Sequence, residues 1–291
     1  MMIPLAFLLG SITTNFRHHF ARHRCRCVRM TLNSSLIIRQ SATKSTSCAS
    51  SKSPFIMNGE VDSHHRKPRI LCLHGKFQSG YIFSNKIAGA RRKIEREYEL
   101  HFLDGPILLE TNSDKEDDGY DNDTAVVPDE RLAPRSWWLR SEDGKHTLVR
   151  EAFDYIMQRT EIDQYDALIG FSQGGTLATA LALSGLFPNL RAVCTAGAPY
   201  ITEAFEVASE LCNSNSAPTL TNGLDIPKLH LAGERDDLVA VASTRELCQR
   251  GGNGTLILHD QGHLFPTRSA RVKELLDFLG AALSVDNNAR R

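Results

Sequence analysis

Six short apolar runs set the architecture of this chain: Arg69–Leu73, Leu100–Leu103, Ala167–Phe171, Leu190–Ala196, Lys228–Ala232 and Thr255–His259. They are continuous rather than alternating, and several stop at Gly, Asp or His residues suited to a tight loop. Between them lie segments of helical period. Ile82, Phe83, Ile87, Ala90 and Ile94 recur at helical spacing, with Lys86, Arg91, Arg92 and Glu95 between them, and predict one amphipathic helix. Further helices are expected over Leu148–Met157, Thr176–Leu186, Thr244–Gln249 and Ser269–Leu283. Continuous apolar strands alternating with helices must be buried on both sides. The expected class is α/β, a mostly parallel sheet with helices on both faces.

Charge divides the chain. The totals are even, 34 Lys and Arg against 34 Asp and Glu. That balance argues against nucleic acid as a partner, which calls for a basic surplus. Residues 1–59 hold eight basic side chains and no acid, leaving 26 basic against 34 acidic in 60–291. An Arg- and Ser-rich, acid-free segment has the composition of an organelle transit peptide. The competing readings are a disordered extension, or translation from Met57. Met1–Ile12 is apolar but shorter than the roughly 20 residues a membrane helix needs, so stable membrane insertion is not expected. The expected division is an extension over 1–65, one catalytic domain over 66–285 and a disordered end over 286–291. Seven scattered cysteines, an odd number, suggest reduced thiols rather than a disulfide framework. His18, His19, His23, Cys25 and Cys27 lack the usual zinc spacing, and no metal is expected.

Glu110–Glu130 carries nine acids and one base. Asp114–Gly119 has the oxygen spacing that opens a calcium loop, but Ala125 stands where a bidentate Glu is required. A solvated surface loop is the better reading. Trp137 and Trp138 follow. They fit either plain core or the wall of a substrate cleft. Ile201–Ser216 is read from its position as a cap over the site.

The chemistry gathers at strand ends. Gly170-Phe-Ser-Gln-Gly174 matches G-x-S-x-G, with a strand before it and an Ala/Leu helix after it. Small residues flank such a serine because it sits on a strained turn. The helix behind it aims N–H groups at developing negative charge. Ser172 is therefore the candidate nucleophile. Serine needs a base, and His263, in the loop after the last strand, is preferred over His101, His146, His230 and His259. The base needs an acid. Asp236 comes three residues after the Gly that ends the fifth strand, with Asp237 as fallback and Glu234, straight after that Gly, less suited. The backbone N–H of Gln173 is one expected oxyanion donor. The second comes from His74-Gly75-Lys76-Phe77, with Lys76 N–H preferred and Phe77 N–H next. Phe77, Trp137 and Trp138 are the candidate substrate contacts.

The segments Leu73-His-Gly-Lys-Phe-Gln-Ser-Gly80, Asp104-Gly-Pro106, Arg135-Ser-Trp-Trp138, Gly170–Gly174, Gly233-Glu-Arg-Asp236 and Gly262-His263 resemble the FSH (family of serine hydrolases) group. The resemblance spans about Arg66 to Leu283. It implies an α/β-hydrolase fold, an esterase or thioesterase acting on small-molecule acyl esters, and no cofactor. It also implies a cytoplasmic, sometimes nuclear, protein; a transit peptide would instead mean a mitochondrion or plastid. Lys76 and the long acidic loop depart from the family pattern. Two rivals stand beside this reading. One is an enzyme of the acyl-protein thioesterase or phospholipase/carboxylesterase type. The other is a non-catalytic scaffold on the same fold.

Overall fold

The computed structural model describes residues 66–110, 129–214 and 222–284. The N-terminal extension, the Asp114–Gly119 calcium pattern and the chain from residue 285 lie outside them. In chain order the described elements begin with β1 (Arg69–Leu73), α1 (Gly80–Lys86), α2 (Ala88–Ile94) and β2 (Glu99–Leu103). The two-residue strands β3 (Ile107–Leu108), β4 (Arg135–Ser136), β5 (Leu139–Arg140) and β6 (His146–Thr147) precede α3 (Val149–Arg159). Then come β7 (Ala167–Phe171), α4 (Gln173–Leu183), β8 (Ala192–Ala196) and α5 (Thr202–Ser214). β9 (Lys228–Gly233), α6 (Val241–Arg250), β10 (Gly254–His259) and α7 (Ser269–Leu283) complete the set.

The six longer strands form one parallel sheet in the order β10-β9-β8-β7-β1-β2. Successive side chains of a strand point to opposite faces, and two cores follow from this. Leu71, Leu73, Leu168 and Val193 face Phe153 and Ile156 of α3, Leu177 and Leu181 of α4, and Ala208 of α5. Ile70, Cys72, Ile169 and Cys194 face Phe83 of α1, Ile94 of α2, and Leu275 and Leu279 of α7. Each such buried aliphatic or aromatic side chain contributes about 1.5–3 kcal/mol of apolar burial. This is an α/β architecture, a parallel sheet with helices packed on both faces.

The expected single helix over Ile82–Glu95 is two helices. The backbone turns at Ile87, with φ −100° and ψ 17°. Phe83, Ile87, Ala90 and Ile94 all remain buried, so the apolar spacing continues across the break and conceals it. α4 also starts three residues earlier than expected, because the strand turns into the helix at Ser172 itself.

Strand register aligns the functional loops. Leu73 pairs with both Leu103 and Gly170, Phe171 with Ala196, and His259 with Gly233. The residues after these positions therefore emerge together at the C-terminal edge of the sheet.

Candidate active site

Ser172 stands between the last residue of β7 and the first of α4, with φ 51° and ψ −120°. This left-handed conformation costs a non-glycine residue about 1–3 kcal/mol and persists only where the surroundings enforce it. Its N–H donates to Ala196 O at 2.8 Å, and its carbonyl accepts from Gly175 and Thr176 N–H at 2.9 and 3.2 Å. The flanking glycines follow from close approach. A Cβ at Gly170 would lie 2.3 Å from Gly174 O, and one at Gly174 would lie 2.3 Å from Leu73 O and 2.5 Å from His74 O. These obstacles are backbone, in α4, at the end of β1 and in the loop after it, and cannot swing aside as a side chain would.

Asp236 lies three residues beyond β9, with its side chain 1% exposed. Its Oδ1 accepts from Leu238 and Val239 N–H at 2.9 and 2.8 Å. Oδ2 is thereby turned to His263, whose Nδ1 is 2.7 Å away. An ionised carboxylate only accepts, so Nδ1 carries the proton and Nε2 presents its lone pair. The His263 ring packs 4.9 Å from the ring of Phe171, the residue before Ser172. It also lies against Gly197, where φ is +55° and an added Cβ would be 3.1 Å from the imidazole. Glu234 and Asp237 are exposed on the same loop. The four histidines weighed against it are engaged elsewhere: His101 with Tyr165, His146 with Glu203, His230 with Thr195 and His259 with Gln261 N–H.

The loop after β1 closes the arrangement. A Cβ at Gly75 would be 3.3 Å from Ser172 Cβ, so this loop lies directly beside the serine. Gly75 O accepts Gln78 N–H at 3.2 Å, with Lys76 and Phe77 at the tip of the turn. Phe77 N–H donates to Arg135 O at 2.9 Å, which removes it as an oxyanion donor. Neither Lys76 N–H nor Gln173 N–H has a protein acceptor among the described residues. The Phe77 ring is 61% exposed, with Lys76 Nζ 5.0 Å from its centre.

Two supports of this loop were not foreseen from the sequence. His74 is fully buried. Its Nε2 accepts Gly105 N–H at 2.8 Å, so its Nδ1 holds the proton and donates to Gly75 O at 2.8 Å. Burial lowers its pKa to about 4, against a smaller opposing effect of the Gly75 carbonyl, and the ring stays neutral. The Gln173 side chain is the second support. Its Oε1 accepts from Ser136 Oγ at 3.0 Å and Trp137 N–H at 2.9 Å, and its Nε2 donates to Trp138 O at 2.9 Å. The only sequence signal for either is an amide or imidazole placed immediately beside a motif residue.

Trp137 and Trp138 do not wall a cleft. They are 0% and 2% exposed, within the core on the α3–α4 face. Trp137 Nε1 donates to His74 O at 2.9 Å, so the indole's polar edge is spent bracing the β1 loop. On the opposite side of the site, a pocket of about 210 Å³ opens beside His263. Among the described residues no three His, Cys, Asp or Glu side chains gather as a metal site, and no helix is long and apolar enough to cross a membrane.

Residues 63–275 match the model of the family described as serine hydrolase (FSH1). The chain belongs to this family. Among its relatives, a Schizosaccharomyces pombe protein named dihydrofolate reductase is 30% identical over 230 residues, covering 74% of this chain and 47% of that protein. The chain thus spans about half the length of that relative. An esterase of Bos taurus, OVCA2, is 26% identical, covering 72% of this chain and 95% of its own. Among solved structures, esterase PE8 aligns at 18% identity with a TM-score of 0.49, covering 74% of this chain and 93% of its own.

Proposed function

We propose that this serine hydrolase family member cleaves carboxylic esters or thioesters through an acyl-enzyme on Ser172. In this reading Ser172 Oγ attacks the acyl carbonyl carbon and His263 Nε2 takes its proton. Asp236 stabilises the imidazolium that forms. The oxyanion accepts hydrogen bonds from Gln173 and Lys76 N–H. His263 then gives the proton to the departing alcohol or thiol as the C–O or C–S bond breaks. A water deprotonated by His263 attacks the acyl carbon in turn and releases the acid. The relatives named esterases, such as that of Bos taurus, agree with this chemistry.

One observation carries the proposal: Asp236 Oδ2 sits 2.7 Å from His263 Nδ1, leaving Nε2 free as a base beside the strained turn at Ser172. The test is pre-steady-state release of 4-nitrophenol from 4-nitrophenyl butyrate. A burst close to one equivalent per chain is expected, and Ser172→Ala should abolish it. A burst that survives in Ser172→Ala would rule out an acyl-enzyme at this residue.

A further inference from the structure

The pocket beside His263 is walled by Phe83, Ile87, Phe171 and Phe265, with Lys86 and Gln78 at its polar side. Its volume of about 210 Å³ falls below the roughly 300–1,000 Å³ of drug-sized ligand clefts and holds about seven water-sized groups. None of its eight lining residues is a carboxylate. Lys86 has no ion-pair partner among the described residues, although residues 60–291 carry 34 acids against 26 bases. The α1 terminus therefore presents a cation to a small apolar pocket. Gln78 Oε1 accepts Gly75 N–H at 3.3 Å, which leaves the amide NH2 as a second donor for a ligand there.

Reaction geometry says which half of an ester this pocket serves. His263 must hand its proton to the departing oxygen or sulfur, so the leaving group lies against the imidazole. The pocket is lined by His263 and not by Ser172. We infer that it receives the leaving group, and that the alcohol or thiol released carries a short apolar chain ending in an anion, a carboxylate or a phosphate, paired with Lys86. This inference rests on the proposed esterase reading and names the substrate class of that same site. Lys86 is exposed, so water screens the pair and the preference it gives is moderate. No step beyond ester cleavage is required: the anion is bound, not transformed.

The test compares two butyrate esters that form the same butyryl-enzyme and differ only in the leaving group. One is 4-(butyryloxy)butanoate, and the other its uncharged isostere, 4-methylpentyl butyrate. Butyrate release gives kcat/KM for the full-length protein. A 2-(butyryloxy)ethyl phosphate arm separates phosphate from carboxylate. The charged esters are expected to be favoured by about threefold to fivefold. Lys86→Met should remove the preference, bringing kcat/KM for the charged esters level with that for 4-methylpentyl butyrate, and Lys86→Arg should keep it. Equal kcat/KM for charged and neutral esters overturns the inference, as does a preference that survives Lys86→Met. So does a preference seen only when the carboxylate is on the acyl side, with monomethyl glutarate against methyl 5-methylhexanoate. If a fluorophosphonate fails to label Ser172, the esterase reading falls and this inference with it. Labelling without a charge preference overturns the inference alone.

Discussion

The two halves of the site are held by different kinds of contact. Around Ser172 the chain is fixed by backbone against backbone: an added Cβ at Gly170 would lie 2.3 Å from Gly174 O in α4, and one at Gly174 2.3 Å from Leu73 O in β1. Buried polar side chains reinforce this half, with Gln173 making three hydrogen bonds and His74 two. Around His263 backbone also approaches backbone, since a Cβ at Gly233 would lie 2.3 Å from Gln261 O, but the polar side-chain support is sparser. One carboxylate tethers the imidazole, and Leu238 beside it is 78% exposed. The nucleophile half therefore tolerates no added volume. The base half depends on the chemistry of one pair.

The largest contrast comes from adding one methyl group to each half. Gly174→Ala drives a Cβ into Leu73 O, and a loss above about 4 kcal/mol is expected, read as a failure to fold by circular dichroism. At Gly262, next to His263, an added Cβ would be 3.2 Å from Arg235 O, and alanine there should cost about 1 kcal/mol or less in urea unfolding. Comparable losses at the two positions would erase the distinction.

Asp236→Asn attacks the base half without disturbing its fold. Asparagine keeps the Oδ1 acceptor for Leu238 and Val239 N–H but no longer accepts from His263 Nδ1. Ester hydrolysis should fall about 10³–10⁴-fold, with little change in melting temperature.

Gln173→Leu attacks the nucleophile half through its buried amide. It leaves Trp137 N–H without its acceptor, while Ser136 Oγ and Trp138 O keep each other as partners at 2.5 Å. A loss of about 2–3 kcal/mol in urea unfolding is expected, together with a fall in kcat rather than a rise in KM.

The smallest effect is one of pH. Burial lowers the pKa of both His74 and His230 to about 4, below the ordinary value of 6.5. The unfolded chain then binds more protons than the folded one between these values. Their contribution is complete above pH 6.5 and is lost as pH falls towards 4. Unfolding free energy at pH 5.5 should lie about 1–3 kcal/mol below that at pH 7.5. A stability that is flat, or higher at pH 5.5 than at pH 7.5, would mean the two imidazoles are not held neutral.

Much of this was legible in the sequence. Buried parallel strands must be continuous apolar runs, and β1, β7 and the strands after them appear as such. Ser172, Asp236 and His263 were each marked by following a strand, and register brings those ends to one edge. The role of Trp137 was not legible. Composition cannot tell a core indole from a cleft wall, and the deciding contact is with His74 O, 63 residues away in the chain. The break at Ile87 was hidden because it preserves the apolar spacing. The exclusion of Phe77 N–H depends on Arg135 O, a partner distant in the chain that only the fold brings to it.

The account turns on Ser172 as an activated nucleophile. Intact-mass analysis after reaction with a fluorophosphonate, followed by peptide mapping, tests it most directly. One adduct per chain is predicted, on the peptide containing Gly170–Gly174, absent in Ser172→Ala and slowed in Asp236→Asn. An unmodified wild-type chain, or an adduct mapped to another residue, would contradict it.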